Sequence, residues 1–160
     1  MTPNPYSKAA TFTVVRDPYD RVMSEYRYLS QESHDDPMAM RQWISDKLKA
    51  VVAFRHFPGH FLPQHFYAFG PDGSQILTHI LRYEKLSEEF PKLMAEYKLS
   101  IVLPAKERWN APTNNAKWSK GHLSPEVIAQ INDLYRLDFE RLGYKMVTSP
   151  AEFVDENVNR

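Results

Sequence analysis

The chain has 160 residues, 42% of them hydrophobic, and its 20 Lys+Arg balance its 20 Asp+Glu. This length and composition favour one globular domain and argue against a nucleic-acid or anionic-membrane surface. Cysteine is absent, which excludes disulfides, Cys-ligated zinc, iron–sulfur clusters and thiol nucleophiles. The five glycines fit neither G-x-G-x-x-G nor G-x-x-x-x-G-K-[ST], so the chain contains no ordinary dinucleotide fingerprint and no Walker A loop.

The amino-terminal part of the chain predicts a strand, a tight turn and a helix. Residues 11–15 are β-branched and aromatic, which is typical of a short strand. Asp17 is a favourable N-cap, and Pro18 stands where the first helical residue would be. Apolar residues then recur at helical spacing as far as Leu29. The unit therefore spans about residues 11–30.

Helices and strands alternate through the middle of the chain. The patterns predict, in order, a helix over 38–54, an irregular or short helical stretch over 60–69, a turn at 70–73, a strand over 76–81, a helix over 87–97 that Ser87 caps, and a strand over 99–103. Strands that alternate with helices favour the α/β class, here helix-rich with a small parallel sheet flanked by helices.

The carboxyl-terminal part begins with a long polar segment, residues 105–122, of a length that is usually functional or mobile in a compact domain. Ser124 and Pro125 then open a helix that Gly143 ends. We expect a single domain over residues 1–148 and a polar tail over 149–160. The apolar runs are far shorter than the ~20 residues that span a bilayer, and no targeting segment is visible. The expected location is therefore the cytoplasm.

Arg16 and Ser24 form the most informative constellation. Arg16 lies at the carboxyl end of the first strand, and a helix begins directly after it. Ligands of α/β sheets bind at strand carboxyl ends, and helix N-termini attract anions. Ser24 follows two helical turns on, so the pair is a candidate phosphate clamp. The alternative is a surface arginine that pairs with Asp20 or Glu25, beside an ordinary helical serine.

Three segments carry a family resemblance. Residues 12–26, FTVVRDPYDRVMSEY, resemble the motif F-x-x-V-R-[DN]-P-x-x-R-x-x-S-x-Y of sulfotransferases that use 3′-phosphoadenosine 5′-phosphosulfate (PAPS). The likeness is closest to the branch of Golgi carbohydrate sulfotransferases and their bacterial relatives. Residues 80–86, ILRYEKL, and the closing segment 123–144 resemble further parts of the family in the same order. The resemblance implies the sulfotransferase variant of the P-loop-NTPase-like fold and sulfate transfer from PAPS to a hydroxyl, most naturally of a glycan.

The same resemblance implies roles for particular residues. Arg16 and Ser24 match the side chains that hold the 3′-phosphate of the nucleotide. Asn110 and Lys117 fall in the polar loop that closes over the nucleotide in this family; the alternative for both is a solvated surface loop. His60 and His65 are candidates for the base that deprotonates the acceptor, against the alternative of packing or surface hydrogen bonding. No H-E-x-x-H motif is present, and no metal is expected.

One part of the family pattern is missing from this sequence. In the family, a Pro-Lys-x-Gly-[ST]-[ST] loop for the 5′-phosphosulfate and the usual base both precede the arginine motif. Only fifteen residues precede Arg16 here, and they contain no such loop. We therefore expect the amino-terminal half of the donor site to be absent from the chain. The protein would then act with a partner chain or as a homo-oligomer, or be an inactive relative that binds a 3′-phosphonucleotide or another protein.

Overall fold

The computed structural model describes residues 9–30, 36–54, 59–104 and 118–153. Within these ranges there are two strands, β1 (Phe12–Val15) and β2 (His79–Arg82). The helices are α1 (Pro18–Leu29), α2 (Pro37–Phe54), α3 (His65–Ala68), α4 (Leu86–Glu96), α5 (Pro125–Leu134) and α6 (Arg136–Leu142). Short 3-10 turns occur at Gly59–Phe61, Tyr83–Lys85, Lys120–His122 and Pro150–Phe153.

The strands form a two-stranded parallel sheet in which Phe12 pairs with His79 and Val15 with Arg82. A small parallel sheet in a mostly helical chain confirms the predicted α/β class. Among the described helices, none has the length and apolar character needed to cross a membrane. The predicted extent of the domain, residues 1–148 with a tail over 149–160, stays a prediction.

The described residues group into two compact units. The first, the sheet unit, contains residues 9–16 and 64–104. The second, the helical unit, contains residues 17–30, 36–54, 59–63 and 118–153. The chain thus passes from the sheet unit into the helical unit directly after Arg16.

Helix α4 covers β2 in the sheet unit, and their small apolar core is formed by Leu81, Leu93 and Met94. Our prediction that Ser87 caps this helix is wrong, because α4 already begins at Leu86 and Lys85 precedes it. The reason is the 3-10 turn at Tyr83–Lys85, which leads into α4 without a break. Glu89, in the first turn, accepts a hydrogen bond from the backbone N–H of Arg82 at 2.7 Å.

The two other predicted strands of the sheet unit need correction. The strand expected over 76–81 is confined to His79–Arg82, and Ile76 is exposed. The strand expected over 99–103 is wrong: these residues have no regular secondary structure and are all exposed. Their apolar, β-branched composition is typical of a strand. A strand nevertheless requires a hydrogen-bonded neighbour, and no described strand pairs with this segment.

One face of helix α1 packs into the core of the helical unit, and its residues there are Tyr19, Val22, Met23 and Tyr26. Its start is as predicted: Pro18 is the first helical residue, and the Asp17 carboxylate accepts a hydrogen bond from the Asp20 N–H at 3.0 Å. This bond satisfies one of the N–H groups that a helix start leaves without an intrahelical partner.

The closing helix predicted as one element consists of two, α5 and α6, which meet at Tyr135. The hydroxyl of Tyr135 donates to the carbonyl of Phe61 at 3.2 Å, a contact between residues distant in sequence. Both predicted ends are confirmed. Ser124 accepts a hydrogen bond from the Val127 N–H at 3.4 Å, and Gly143 ends α6 in the left-handed region with φ 68°.

Candidate functional site

Arg16 follows β1 directly, and one side chain binds both of its backbone polar groups. The Arg16 N–H donates to Oε1 of Gln64 at 2.8 Å, and Nε2 of Gln64 donates to the Arg16 carbonyl at 2.8 Å. Gln64 is only 2% exposed, so its side chain is shielded from solvent. The backbone at the carboxyl end of β1 is therefore held on both sides of the Arg16 Cα.

The guanidinium of Arg16 lies over the ring of Tyr83, 4.5 Å from its centroid. This is a cation–π contact, and it leaves the N–H groups on the edge of the guanidinium free to donate. Within residues 9–16 and 64–104, no carboxylate pairs with the guanidinium. Arg16 therefore presents a positive charge that has no anionic partner in its own unit.

The carboxylates considered as alternative partners for Arg16 are paired inside the helical unit. Lys120 Nζ lies 3.1 Å from Asp20 Oδ2 and 4.0 Å from Asp17 Oδ1. Glu25 Oε2 lies 3.0 Å from His60 Nδ1. These contacts weaken the alternative that Arg16 is a surface arginine paired with Asp20 or Glu25.

Ser24 lies on α1, is partly exposed and belongs to the helical unit. No other described residue of that unit hydrogen-bonds to its hydroxyl. The hydroxyl is therefore free to donate to a ligand, as the clamp hypothesis requires.

The two candidate histidines differ in their exposure and in their contacts. His60 is half exposed and is held by three contacts: its Nδ1 with Glu25, its carbonyl with Nη2 of Arg21 at 2.9 Å, and its ring with Tyr28 at 5.5 Å. The contact with Glu25 engages Nδ1, so Nε2 is the ring nitrogen that could meet an acceptor hydroxyl. His65 is buried in α3 with its ring 4.3 Å from that of Phe66. The burial and the ring contact favour the packing alternative for His65, whose role as a base stays a prediction.

Asn110 and Lys117 lie outside the described residues, so their predicted role stays a prediction. Sequence reasoning predicted none of three contacts near these residues: Gln64 and Tyr83 each contact Arg16, and Lys120 pairs with Asp20. Tyr83 stands in the resembling segment 80–86, which was the available signal for it. Lys120 gave none, because it meets Asp20 from 100 positions away.

Two further features of the described chain bear on its chemistry. No group of three or more His, Asp or Glu side chains in these ranges could hold a metal ion. An open groove of about 410 Å³ runs along β2 and α4, lined by residues that include Thr78, His79, Glu89 and Lys92. Neither Arg16 nor His65, the predicted site residues described in the sheet unit, lines this groove.

A family model described as "Sulfotransferase family" matches residues 2–145. The chain belongs to the sulfotransferase family. The match covers both the arginine motif of residues 12–26 and the segment 80–86, and it supports sulfate transfer as the general chemistry. The curated proteins and the solved structures compared with this chain gave no match.

Proposed function

We propose that this sulfotransferase takes sulfate from PAPS and transfers it to a hydroxyl group of a carbohydrate, with Arg16 and Ser24 binding the 3′-phosphate of the donor. The observation that supports this most strongly is the guanidinium of Arg16, held on Tyr83 and without a carboxylate partner in the described sheet unit. A phosphate ester offers the planar fork of an arginine two acceptor oxygens at once.

The residues fit a phosphate ligand chemically. Arg16 supplies a permanent positive charge with several N–H donors, and the Ser24 hydroxyl supplies an uncharged donor. Hydrogen bonds to a charged group contribute ~1.5–3 kcal/mol each. Loss of the Arg16 side chain should therefore weaken nucleotide binding by tens of fold. Asn110 and Lys117 remain candidates for further donor contacts.

We propose His60 as the base that accepts the proton of the acceptor hydroxyl. The support is the 3.0 Å contact of its Nδ1 with Glu25, which leaves Nε2 as the ring nitrogen that could meet the acceptor, together with the exposure of the ring. The bound donor would supply an activated sulfuryl group, whose bond to the nucleotide phosphate breaks as the acceptor oxygen bonds to sulfur. Orientation and charge neutralisation, rather than a covalent enzyme intermediate, would be the protein's contribution.

A carbohydrate acceptor is proposed because the arginine motif most closely resembles that of the carbohydrate branch of the family. Incubation of the full chain with labelled PAPS and a panel of glycans tests it directly. The proposal predicts that labelled sulfate appears in a glycan. If the chain binds the nucleotide but transfers no sulfate, it is a binding module and not an enzyme. Specific activity that rises with protein concentration would indicate that a second chain completes the site.

The role of His60 has its own test. His60→Gln should lower kcat at least 100-fold, because general base catalysis contributes ~10²–10⁴-fold, with the affinity for 3′-phosphoadenosine 5′-phosphate (PAP) unchanged. His79→Gln is the matched control, since the His79 ring lies in the sheet unit against the Tyr97 hydroxyl at 2.8 Å. Equal kcat in His60→Gln and wild type would remove His60 from the reaction.

A further inference from the structure

We infer that Gln64 is a positioning residue for Arg16: it fixes the strand end from which the guanidinium reaches the donor phosphate. The inference rests on the proposed function, because it assigns Gln64 a role in binding the same 3′-phosphate. Its basis is the double hydrogen bond in which Gln64 binds the N–H and the carbonyl of Arg16, both at 2.8 Å.

A glutamine is chemically suited to this contact. A carboxamide presents an acceptor oxygen and an N–H donor side by side, which is what the two backbone groups of one extended residue require. A glutamate lacks the donor, and a methionine of similar length lacks both strong groups. The pairing of β1 with β2 ends at Val15. For the next residue, Arg16, the Gln64 side chain supplies the hydrogen bonds that a neighbouring strand would otherwise make.

The placement of Gln64 indicates that its side chain serves Arg16 rather than its own helix. Gln64 stands at the N-cap position of α3, yet its side chain makes no capping hydrogen bond. It is directed instead to a residue 48 positions away, and it is 2% exposed. A buried amide is costly unless its polar atoms are satisfied, so the two bonds hold each partner in one geometry.

Tyr83 completes the arrangement. Gln64 fixes the backbone of Arg16, while the Tyr83 ring supports the guanidinium at 4.5 Å. A free arginine side chain loses much rotamer entropy when it binds a phosphate. An arginine already held at its backbone and at its guanidinium loses less, so part of the affinity comes from this preorganisation.

The test is a double-mutant cycle on the full chain with PAP as the probe, measured by calorimetry. Gln64→Met should weaken PAP binding about tenfold in the wild-type background. It should have no further effect on PAP affinity in the Arg16→Ala background, where the backbone contacts persist but no guanidinium remains to be positioned. Gln75→Met is the matched control, because Gln75 belongs to the same unit, is exposed and bonds only nearby carbonyls.

Two further measurements keep the inference testable if Gln64→Met folds poorly. Gln64→Asn keeps an uncharged carboxamide on a shorter side chain, and it should give a smaller loss of PAP affinity than Gln64→Met. In the wild type, amide hydrogen exchange at Arg16 should be slow without nucleotide. Equal losses of affinity in both backgrounds, no loss at all, or a fast-exchanging Arg16 amide would overturn the role of Gln64. Absence of PAP binding by the wild type would instead refute the proposed function, and the role of Gln64 with it.

Discussion

Tyr19→Phe removes a single hydroxyl from the centre of the helical unit. Tyr19 is 1% exposed, and its hydroxyl donates to Oδ1 of Asn132 while it accepts from the Val147 N–H at 3.0 Å. Asn132 in turn donates to the Val147 carbonyl at 2.8 Å. The substitution therefore leaves one buried donor and one acceptor without their partner.

The expected cost at neutral pH follows from these contacts. A buried polar group that loses its partner costs ~1–3 kcal/mol, and Asn132 and Val147 retain the bond they share. We therefore expect Tyr19→Phe to lower the free energy of unfolding by about 2–3 kcal/mol. That is a large part of the ~5–15 kcal/mol typical of a whole domain.

The same residue makes stability depend on pH at the alkaline end. Burial, as the largest cause, raises the pKa of Tyr19 from 10.0 to about 12. Between these values the unfolded chain releases the phenol proton while the folded chain retains it, so wild-type stability falls as pH rises. The loss reaches ~2–3 kcal/mol at the upper end. Tyr19→Phe has no proton to release, so the difference in stability between the two proteins should shrink above pH 10.

Urea unfolding followed by circular dichroism at pH 7, 9, 10.5 and 11.5 measures this difference. Tyr28→Phe is the matched control, because Tyr28 lies on the same helix and is 55% exposed; it should change stability little at any pH. The reasoning would be refuted if the difference in unfolding free energy between wild type and Tyr19→Phe stayed constant or grew between pH 9 and 11.5.

Three further substitutions test the fold. Gly143→Ala should lower the free energy of unfolding by ~1–2 kcal/mol because Gly143 has φ 68°. Gly121→Ala should lower it little, since an added Cβ there meets only Ser119 Oγ at 3.7 Å. Equal melting temperatures of the two variants would contradict this. Ile131→Ala should cost ~2–5 kcal/mol because Ile131 is 0% exposed, and Ile76→Ala at an exposed site should cost much less in the same urea titration. Ser124→Ala should cost ~1 kcal/mol through loss of the N-cap of α5, and calorimetric unfolding that matches the wild type would show the cap to be unimportant.

Local signals were enough to predict the strand, turn and helix around Arg16. The β-branched run, the Asp17 cap and Pro18 act within a few residues of one another, and the structure begins and ends β1 and α1 within a residue or two of the predicted bounds. The class of the fold followed from the same kind of signal. Where the outcome depended on distant contacts, the predictions were incomplete.

Three features illustrate those distant contacts. The break between α5 and α6 is accompanied by a hydrogen bond from Tyr135 to Phe61, 74 positions away. The strand predicted over 99–103 has the composition of a strand but no described pairing partner. Gln64 and Arg16 are 48 positions apart, so no spacing along the chain indicates that one holds the other.

Calorimetric titration of the full chain with PAP, for wild type and Arg16→Ala, tests the central claim most directly. Arg136→Ala is the matched control, since Arg136 is an exposed arginine whose partner is Glu140 on its own helix. The account predicts that wild type and Arg136→Ala bind PAP alike and that Arg16→Ala binds tens of fold more weakly. Equal PAP affinity in all three proteins, or no binding by the wild type, would contradict it.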